Sequence, residues 1–306
     1  MKIYDVAFLG MGASALATAK LKYKGTSISL IGIDKNYHSK RNNFFAFWLT
    51  DWMKDFDSLA QKKWFCWNFY LTNNHIKHET KDLPYCTIRY QDWKNYCLKG
   101  LENLSIKEFN VQSITNLKKY YEIKLENGEE IFAKKIYDSR TPKLENEKVK
   151  QHFFGYLIET KQMINSNSVT LMDFRVEQKM GLHFMYCLPI DENRMLVEST
   201  VFSSEIQEDA WYQKQILEYI ETKLNLSEYK IVDEEKGALP MYDIENKSSE
   251  NYINIGSRGG ATKISTGYAF SFFLKNIMLN FENINKTHHS YFDLSLIHIS
   301  EPTRPS

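Results

Sequence analysis

The stretch YDVAFLGMGASALATAKLKYKGTSISLIGIDKN, Tyr4 to Asn36, constrains the fold more than any other part of the chain. The apolar run Val6 to Leu9 leads straight into Gly10-Met11-Gly12-Ala13-Ser14-Ala15. An alanine-rich helix is predicted from about Ala13 to Lys22, and a second apolar strand, Ser27 to Ile33, ends at Asp34. That order is a dinucleotide fingerprint in its β-α-β setting. Gly10 permits the tight turn, and Gly12 lets the backbone approach a pyrophosphate. Ala15 keeps the helix close to the sheet, while Ala13 and Ser14 open a helix whose N-terminus faces the anion. Asp34 falls where an acid accepts hydrogen bonds from ribose hydroxyls. The fingerprint leaves NAD and FAD both open.

Further along, YYEIKLENGEEIFAKKIYDSR reads as two strands around the hairpin signal Asn127-Gly128, the second running into Asp138-Ser139-Arg140. A meander before a returning strand is common in FAD-dependent two-dinucleotide-domain folds, an analogy that tilts the cofactor toward FAD. From Gln151 the pattern changes. QHFFGYLIET, SVTLMDFR, GLHFMYCLPI and RMLVESTVF predict four strands of a mostly antiparallel sheet. A helix is expected from about Glu205 to Asn225, with Ser204 and Gln207 as a capping box. Its buried face would be traced by Ile206, Trp211, Ile216, Leu217, Ile220 and Leu224. GALPMYDI then leads back to a strand, a glycine turn (Gly256, Gly259, Gly260) and a helix. Those glycines would free backbone N–H groups at the helix start, a second phosphate- or flavin-facing element.

A formal net charge of +1, from 39 basic and 38 acidic residues, argues against a nucleic-acid-binding surface. Cys66, Cys86, Cys97 and Cys187 show no metal-ligand spacing and suit free thiols in a reducing cytoplasm. His75 and His78 stand i, i+3 with no further ligands nearby, so they read as solvated helix or loop residues, and no metal site is expected. His152 and His183 lie in predicted strands and are expected to be hydrogen-bonded. The N-terminus reads as a strand and not as a signal peptide. No run reaches the roughly 18 apolar residues of a membrane-spanning helix. Aromatic residues make up 14% of the chain and crowd between Phe44 and Tyr70, as core, as the wall of a wide apolar pocket, or as a surface dipping into lipid.

One residue breaks the pattern. In NRMLVESTVFS, Leu196 and Thr200 share one side of a strand and Met195, Val197 and Ser199 the other, yet Glu198 sits inside the run. Either it meets water or pairs with a neighbour such as Arg175 or Arg194, or it handles a proton in a dry place.

From Asp5 to about Phe270 the sequence resembles the lycopene cyclase family of carotenoid enzymes. The resemblance rests on the glycine fingerprint with Asp34, FFAFW, YDSR, QHFFGYLIE, MDFR, FMYCLPIDENRMLVESTVFS, GALPM and GGATKISTGYAF, in that order. FFAFW lacks the threonine and cysteine common in that segment, and Met11 stands where a small residue is usual. The resemblance implies a non-redox reaction that needs reduced FAD, with NAD(P)H as a possible electron source. It implies that Glu198 is the acid/base residue that cyclises the ends of lycopene, that Asp138 and Arg140 belong to an Asp-x-Arg motif important to the family, and that Thr266 and Gly267 join the distal FAD segment. Asp138 and Arg140 read alternatively as a structural ion pair closing the strand end. The expected fold is α/β, an FAD-binding Rossmann-like domain of the two-dinucleotide type (residues 1–50, 82–150 and 245–293) with a mostly antiparallel substrate domain (51–81 and 151–244). A substrate insoluble in water implies peripheral contact with lipid, on the inner face of the cell membrane. A flavin oxidoreductase, such as a prenyl reductase or aromatic hydroxylase, and a non-catalytic flavin- or carotenoid-binding protein are the competing readings. Leu294–Ser306 (LSLIHISEPTRPS) departs from the family and resembles translated sequencing-library adapter, so the natural protein is expected to continue past Asp293.

Overall fold

The computed structural model describes residues 2–39, 41–245 and 247–282. The chain opens with β1 (Ile3–Leu9), α1 (Ala13–Tyr23), β2 (Leu30–Ile33), β3 (Phe44–Trp48), β4 (Lys62–Trp64), β5 (Cys66–Leu71), β6 (Asn74–Glu79), β7 (Tyr85–Arg89) and α2 (Tyr90–Leu98). It continues through β8 (Leu104–Lys107), β9 (Val111–Asn116), β10 (Tyr121–Leu125), β11 (Glu130–Asp138), β12 (Lys150–Thr160), β13 (Val169–Asp173), β14 (Leu182–Pro189) and β15 (Arg194–Ser203). Then come α3 (Asp209–Thr222), β16 (Tyr229–Pro240), β17 (Tyr252–Asn254) and α4 (Phe270–Glu282).

Parallel pairing needs cover on both faces, which is why β1 and β2 are nearly continuous apolar runs. They sit mid-sheet in the order β8-β2-β1-β11-β10-β9, with β17 also pairing β11. The core residues Leu16, Trp93, Phe273 and Leu274 fill the helical side of this sheet, and Ile31, Ile123 and Ile136 the opposite side. The Asn127-Gly128 hairpin forms as the sequence predicts, with Gly128 at φ +83°.

The second sheet, β16-β12-β15-β14-β13-β5-β6, is antiparallel except where β13 runs parallel to β5. Its members include the four strands expected from the sequence. Strand β16 is an addition: its charged middle, Asp233-Glu234-Glu235-Lys236, hides the alternation, so only a connection was expected there. One face packs on α3 through Tyr156, Met185, Val197, Ile216 and Ile220. The other faces a three-stranded sheet, β3-β7-β4, through Trp64, Tyr85, Leu157 and Leu196. That small sheet takes Lys62–Trp64 from one side of the expected domain division and Tyr85–Arg89 from the other.

Several local expectations need correction. Helix α3 starts at Asp209 after an N-cap Glu208 that makes no side-chain cap, so Ser204 and Gln207 form no capping box. Ile206 lies outside the helix and is exposed, while Tyr212 and Tyr219 complete the buried face. His75 and His78 lie on β6, a strand, because Asn68 and Trp67 of β5 pair with that edge. The glycines 256, 259 and 260 do not start a helix: Gly256–Gly259 forms a 3-10 turn, and α4 begins only at Phe270.

Met11, a departure from the family, has its own compensation. A Cβ at Gly32 would lie 2.6 Å from the Met11 sulfur and 2.9 Å from Ile106 Cδ1, so bare backbone on β2 makes room for the larger side chain. Gly32→Ala should destabilise the fold by about 1–3 kcal/mol through overpacking. Denaturant titration should show part of that loss recovered when Met11→Ala is added.

Candidate functional site

The turn after β1 is built as its glycines require. Gly10 has φ +78°, and a Cβ there would press within 3.1–3.3 Å of Ser139 and Arg140. Around Gly12 a Cβ would meet nothing within 4 Å, so open space lies over the start of α1. Asp34 accepts from the Met11 backbone N–H at 2.8 Å and from Arg41 at 3.2 Å. The distal glycines close on this turn: a Cβ on Gly256 would lie 2.5 Å from Ser14 Oγ, and one on Gly259 would lie 2.5 Å from the Asn254 carbonyl. The structure thus gathers Gly10, Gly12, Ser14 and Gly256 around the N-terminus of α1, with Gly259 and Gly260 ending the distal turn.

Asp138 is fully buried at the end of β11. Its carboxylate accepts from Arg140 Nε and Nη2 at 2.9 and 2.7 Å and from the Tyr252 hydroxyl at 2.7 Å. Arg258 Nε stands 3.4 Å away and also donates to the Arg140 carbonyl at 2.9 Å. Burial alone would push the Asp138 carboxyl up, but the hydrogen bonds and charge of Arg140, with Tyr252 and Arg258, hold it below its usual value. With every oxygen engaged, Asp138 and Arg140 tie the turn after β1 to the distal glycine turn, on a different sheet from Glu198.

Glu198 lies on β15, 7% exposed, on the face shared with Leu196. Neither arginine weighed as its partner reaches it, since Arg175 pairs with Asp173 and Arg194 with Asp191. Thr200 Oγ1 donates to it at 2.5 Å. Burial, then the negative charge of Glu235, raise the Glu198 carboxyl well above the ordinary carboxylate range, against the Thr200 hydrogen bond. In the ladder Glu198 stands opposite Gly155 of β12 on one side and Tyr186 of β14 on the other. Gly155 in turn stands opposite Glu235 of β16. Tyr186, Glu198, Gly155 and Glu235 therefore form one row across four strands. The sequence reading missed Glu235 and Tyr186; the available signal was Gly155, a lone glycine inside a strand pattern, which marks a close approach.

Tyr186 shares a 2.7 Å hydrogen bond with Tyr85, whose hydroxyl is 3.4 Å from that of Tyr268. Burial pushes the Tyr268 phenol up to about 12, so it stays neutral. Tyr268 lines a cavity of about 470 Å³ with Trp48, Trp52, Trp67, Phe69 and Phe272. Glu198 is not in that wall. The aromatic segment thus supplies core (Phe47, Phe56, Trp64) and cavity wall (Trp48, Trp67). Behind Tyr268, Gly267 takes φ +75° over Gln151 of β12. Thr266 Oγ1, Thr262 Oγ1, Asn254 Oδ1 and Gln151 Oε1 are buried with no hydrogen-bond partner. Orphaned buried polar atoms cost about 1–3 kcal/mol each, and three of them along the distal segment with a fourth on β12 beside Gly267 fit a polar group such as a dinucleotide bound there. His152 and His183 are buried and hydrogen-bonded as expected, to Tyr212 and Ser203 and to Ser199 and the Glu177 carbonyl.

Residues 5–288 match the sequence profile of the family described as lycopene cyclase protein. The chain belongs to the lycopene cyclase family. The chloroplastic neoxanthin synthase of Solanum tuberosum is 23% identical over 298 residues, covering 87% of this chain and 57% of that protein. The chain thus spans under two thirds of that relative's length. Among solved structures, a geranylgeranyl bacteriochlorophyll reductase-like protein from Thermoplasma acidophilum superposes with a TM-score of 0.71 at 10% identity, over 92% of this chain and 78% of that one. A flavin-dependent halogenase from Xanthomonas campestris gives 0.64 at 10% identity, over 92% and 71%. This lycopene cyclase family member has the Rossmann-like fold of such flavoproteins.

The Asp138 hook carries a stability prediction. Asp138→Ala strands two arginines and a tyrosine, and should cost about 3–5 kcal/mol in denaturant unfolding.

Proposed function

We propose that this chain is an FAD-dependent carotenoid cyclase that closes β-type end rings on a linear polyene such as lycopene without net redox change. The observation that carries the reading is Glu198: a carboxyl buried on an apolar strand, with no cation beside it, raised so far that it keeps its proton at neutral pH. An ordinary glutamate, near pKa 4.3, would be deprotonated there and a poor donor.

Gly10, Gly12, Ala13, Ser14, Ala15 and Asp34 would hold the nucleotide, with Gly256, Gly259, Gly260, Thr266 and Gly267 as the distal wall. Asp138 and Arg140 hold those two walls in register. Bound there in reduced form, with NAD(P)H as a possible electron source, FAD would supply an electron-rich ring that favours developing positive charge. The polyene end would enter the aromatic cavity and pass Tyr268 to reach Glu198. There the carboxyl proton adds to the terminal double bond, the resulting cation is attacked by the neighbouring double bond, and a different proton leaves. The faces of Trp48, Trp67 and Tyr268 favour the cation, at about 0.5–2 kcal/mol per well-placed ring. A polyene is insoluble in water, so the cavity mouth must meet lipid. Ile76 and Leu83 at the cavity, with Phe65 and Leu71 on neighbouring segments, expose the apolar surface for peripheral contact on the cytoplasmic side.

Glu198→Gln should abolish cyclisation while FAD absorbance co-purifies unchanged; retained ring closure ends this reading. Product mass is the second check, because cyclisation leaves it equal to that of the substrate whereas a reductase or hydroxylase changes it. Since the donor must be protonated, kcat/KM should fall as pH rises through the raised Glu198 value. Replacing Phe65, Leu71, Ile76 and Leu83 with serine should reduce co-sedimentation with phospholipid vesicles and leave FAD binding intact.

A further inference from the structure

Glu235 has no part in that scheme, yet it shares the row with Glu198. The two side chains flank Gly155, and a Cβ built on that glycine would lie 3.4 Å from Glu198 Cβ and 3.4 Å from Glu235 Cγ. Strands two apart in a sheet hold their backbones about 10 Å apart, and here the side chain that would separate the two carboxyls is missing. Leu196 Cδ1, 3.4 Å from the same Cβ position, packs beside them.

Their surroundings differ. Burial raises the Glu235 carboxyl above its usual range, while the Phe44 backbone N–H at 3.2 Å and the Asn43 side chain donate to it and favour a carboxylate. Glu198 meets only the Thr200 hydroxyl, which can turn to donate or accept and so tolerates either protonation state. Glu198 is also the more deeply buried, whereas Glu235 keeps some contact with solvent. The other titratable groups facing the pair are Tyr186 on β14, Tyr85 on β7, Tyr268 on the distal segment and Asp233 on β16. The phenols are neutral and Asp233 adds negative charge, so nothing here supplies a balancing cation. Arg89 on β7 places its guanidinium over the Phe44 ring at 5.5 Å and forms no ion pair with either carboxyl.

We infer that Glu198 and Glu235 act as one unit that holds a single proton across Gly155, with Glu198 as the donor and Glu235 as the base that completes ring closure. The inference rests on the cyclase reading above and adds the destination of the second proton. Glu198 gives its carboxyl proton to the terminal alkene carbon and becomes a carboxylate. A carbon–carbon bond forms as the neighbouring double bond attacks the cation, which moves the positive charge to the far carbon of that bond. Glu235 takes a proton from the carbon adjacent to the new cation while the C–H electron pair becomes the ring double bond. The proton passes from Glu235 back to Glu198, so no proton and no electron is consumed over the cycle.

The test uses the FAD-loaded full chain and the variants Glu198→Gln, Glu235→Gln and Glu235→Asp. Infrared difference spectra of the carboxylic C=O stretch, recorded against pH without substrate, read the shared proton directly. Wild type should show one protonated buried carboxyl at neutral pH, absent in Glu198→Gln. In Glu235→Gln that band should remain but titrate about one pH unit or more lower, because a like charge has gone. Cyclisation by Glu235→Gln should fall about 100-fold or more, as for loss of a general base, and Glu235→Asp should recover part of it. An unmoved titration together with wild-type turnover in Glu235→Gln overturns the paired unit and leaves the cyclase reading standing. Cyclisation retained by Glu198→Gln strikes the cyclase reading instead. If Glu235→Gln does not fold, Asn43→Ala asks the same question: losing a donor to Glu235 should move the band's titration upward, and no movement overturns the inference.

Discussion

The site depends on two carboxyl groups that the second sheet encloses on its inner face without a cation. Two unit charges about 4 Å apart repel by about 4 kcal/mol at an effective dielectric of about 20, and removing each from water costs several more. A sheet in that position has two exits: bring in a positive partner, or keep a proton. In the inference drawn above, the row Tyr186, Glu198, Gly155, Glu235 takes the second, with a phenol at one end and donors from Asn43 and Phe44 at the other.

Elsewhere the same chain takes the first exit. Asp138 and Asp173 are both fully buried at strand ends, and each is clamped by the arginine two residues later. The clamps match closely: Arg140 donates from Nε at 2.9 Å and Nη2 at 2.7 Å, and Arg175 from Nε at 2.9 Å and Nη2 at 2.6 Å. Each aspartate adds a tyrosine hydroxyl, Tyr252 or Tyr219. Both carboxyls are held below their ordinary values. Buried acids are therefore paired with arginine where they serve architecture. Glu198 sits in equal burial without such a clamp, and that contrast gives its protonated state functional weight.

Much of this arrangement was legible in the sequence because local rules dominate there. The first turn follows from glycines whose backbone geometry has few alternatives, and the Asn127-Gly128 hairpin from a turn type with a narrow residue preference. Glu198 stood out because a charged residue interrupts an apolar run. Glu235 did not, since Asp233, Glu234 and Lys236 surround it and a charge cluster reads as a solvated face. Its placement is a matter of register: only the pairing of β12 with both β15 and β16 sets it beside Gly155. The tyrosine cluster is hidden for a similar reason, as Tyr85, Tyr186 and Tyr268 come from three segments that sequence spacing does not connect. The distal glycines were expected to face a cofactor from the start of a helix. A 3-10 turn forms instead, because Gly256 must fit against Ser14 and Gly259 against the Asn254 carbonyl.

The fold by itself does not choose among chemistries, for the solved structures that share it include a reductase-like protein and a halogenase. The choice lies on the second sheet. Hydride or oxygen chemistry at a flavin asks the protein mainly to orient a substrate, and a dry unpaired glutamate would add a stability cost with no return. Protonating an alkene asks for a water-shielded acid that still carries its proton at neutral pH, in surroundings that offer the cation no further nucleophile. A carboxyl kept neutral by burial and by a second carboxyl satisfies the first demand. Tyr85, Tyr186 and Tyr268, whose phenols keep their protons, meet the second in that they add no anion beyond the two carboxyls. In the function proposed above, the acid, the missing side chain at Gly155 and the neutral tyrosines serve one purpose, which is to give the substrate a proton and not an electron pair from the flavin.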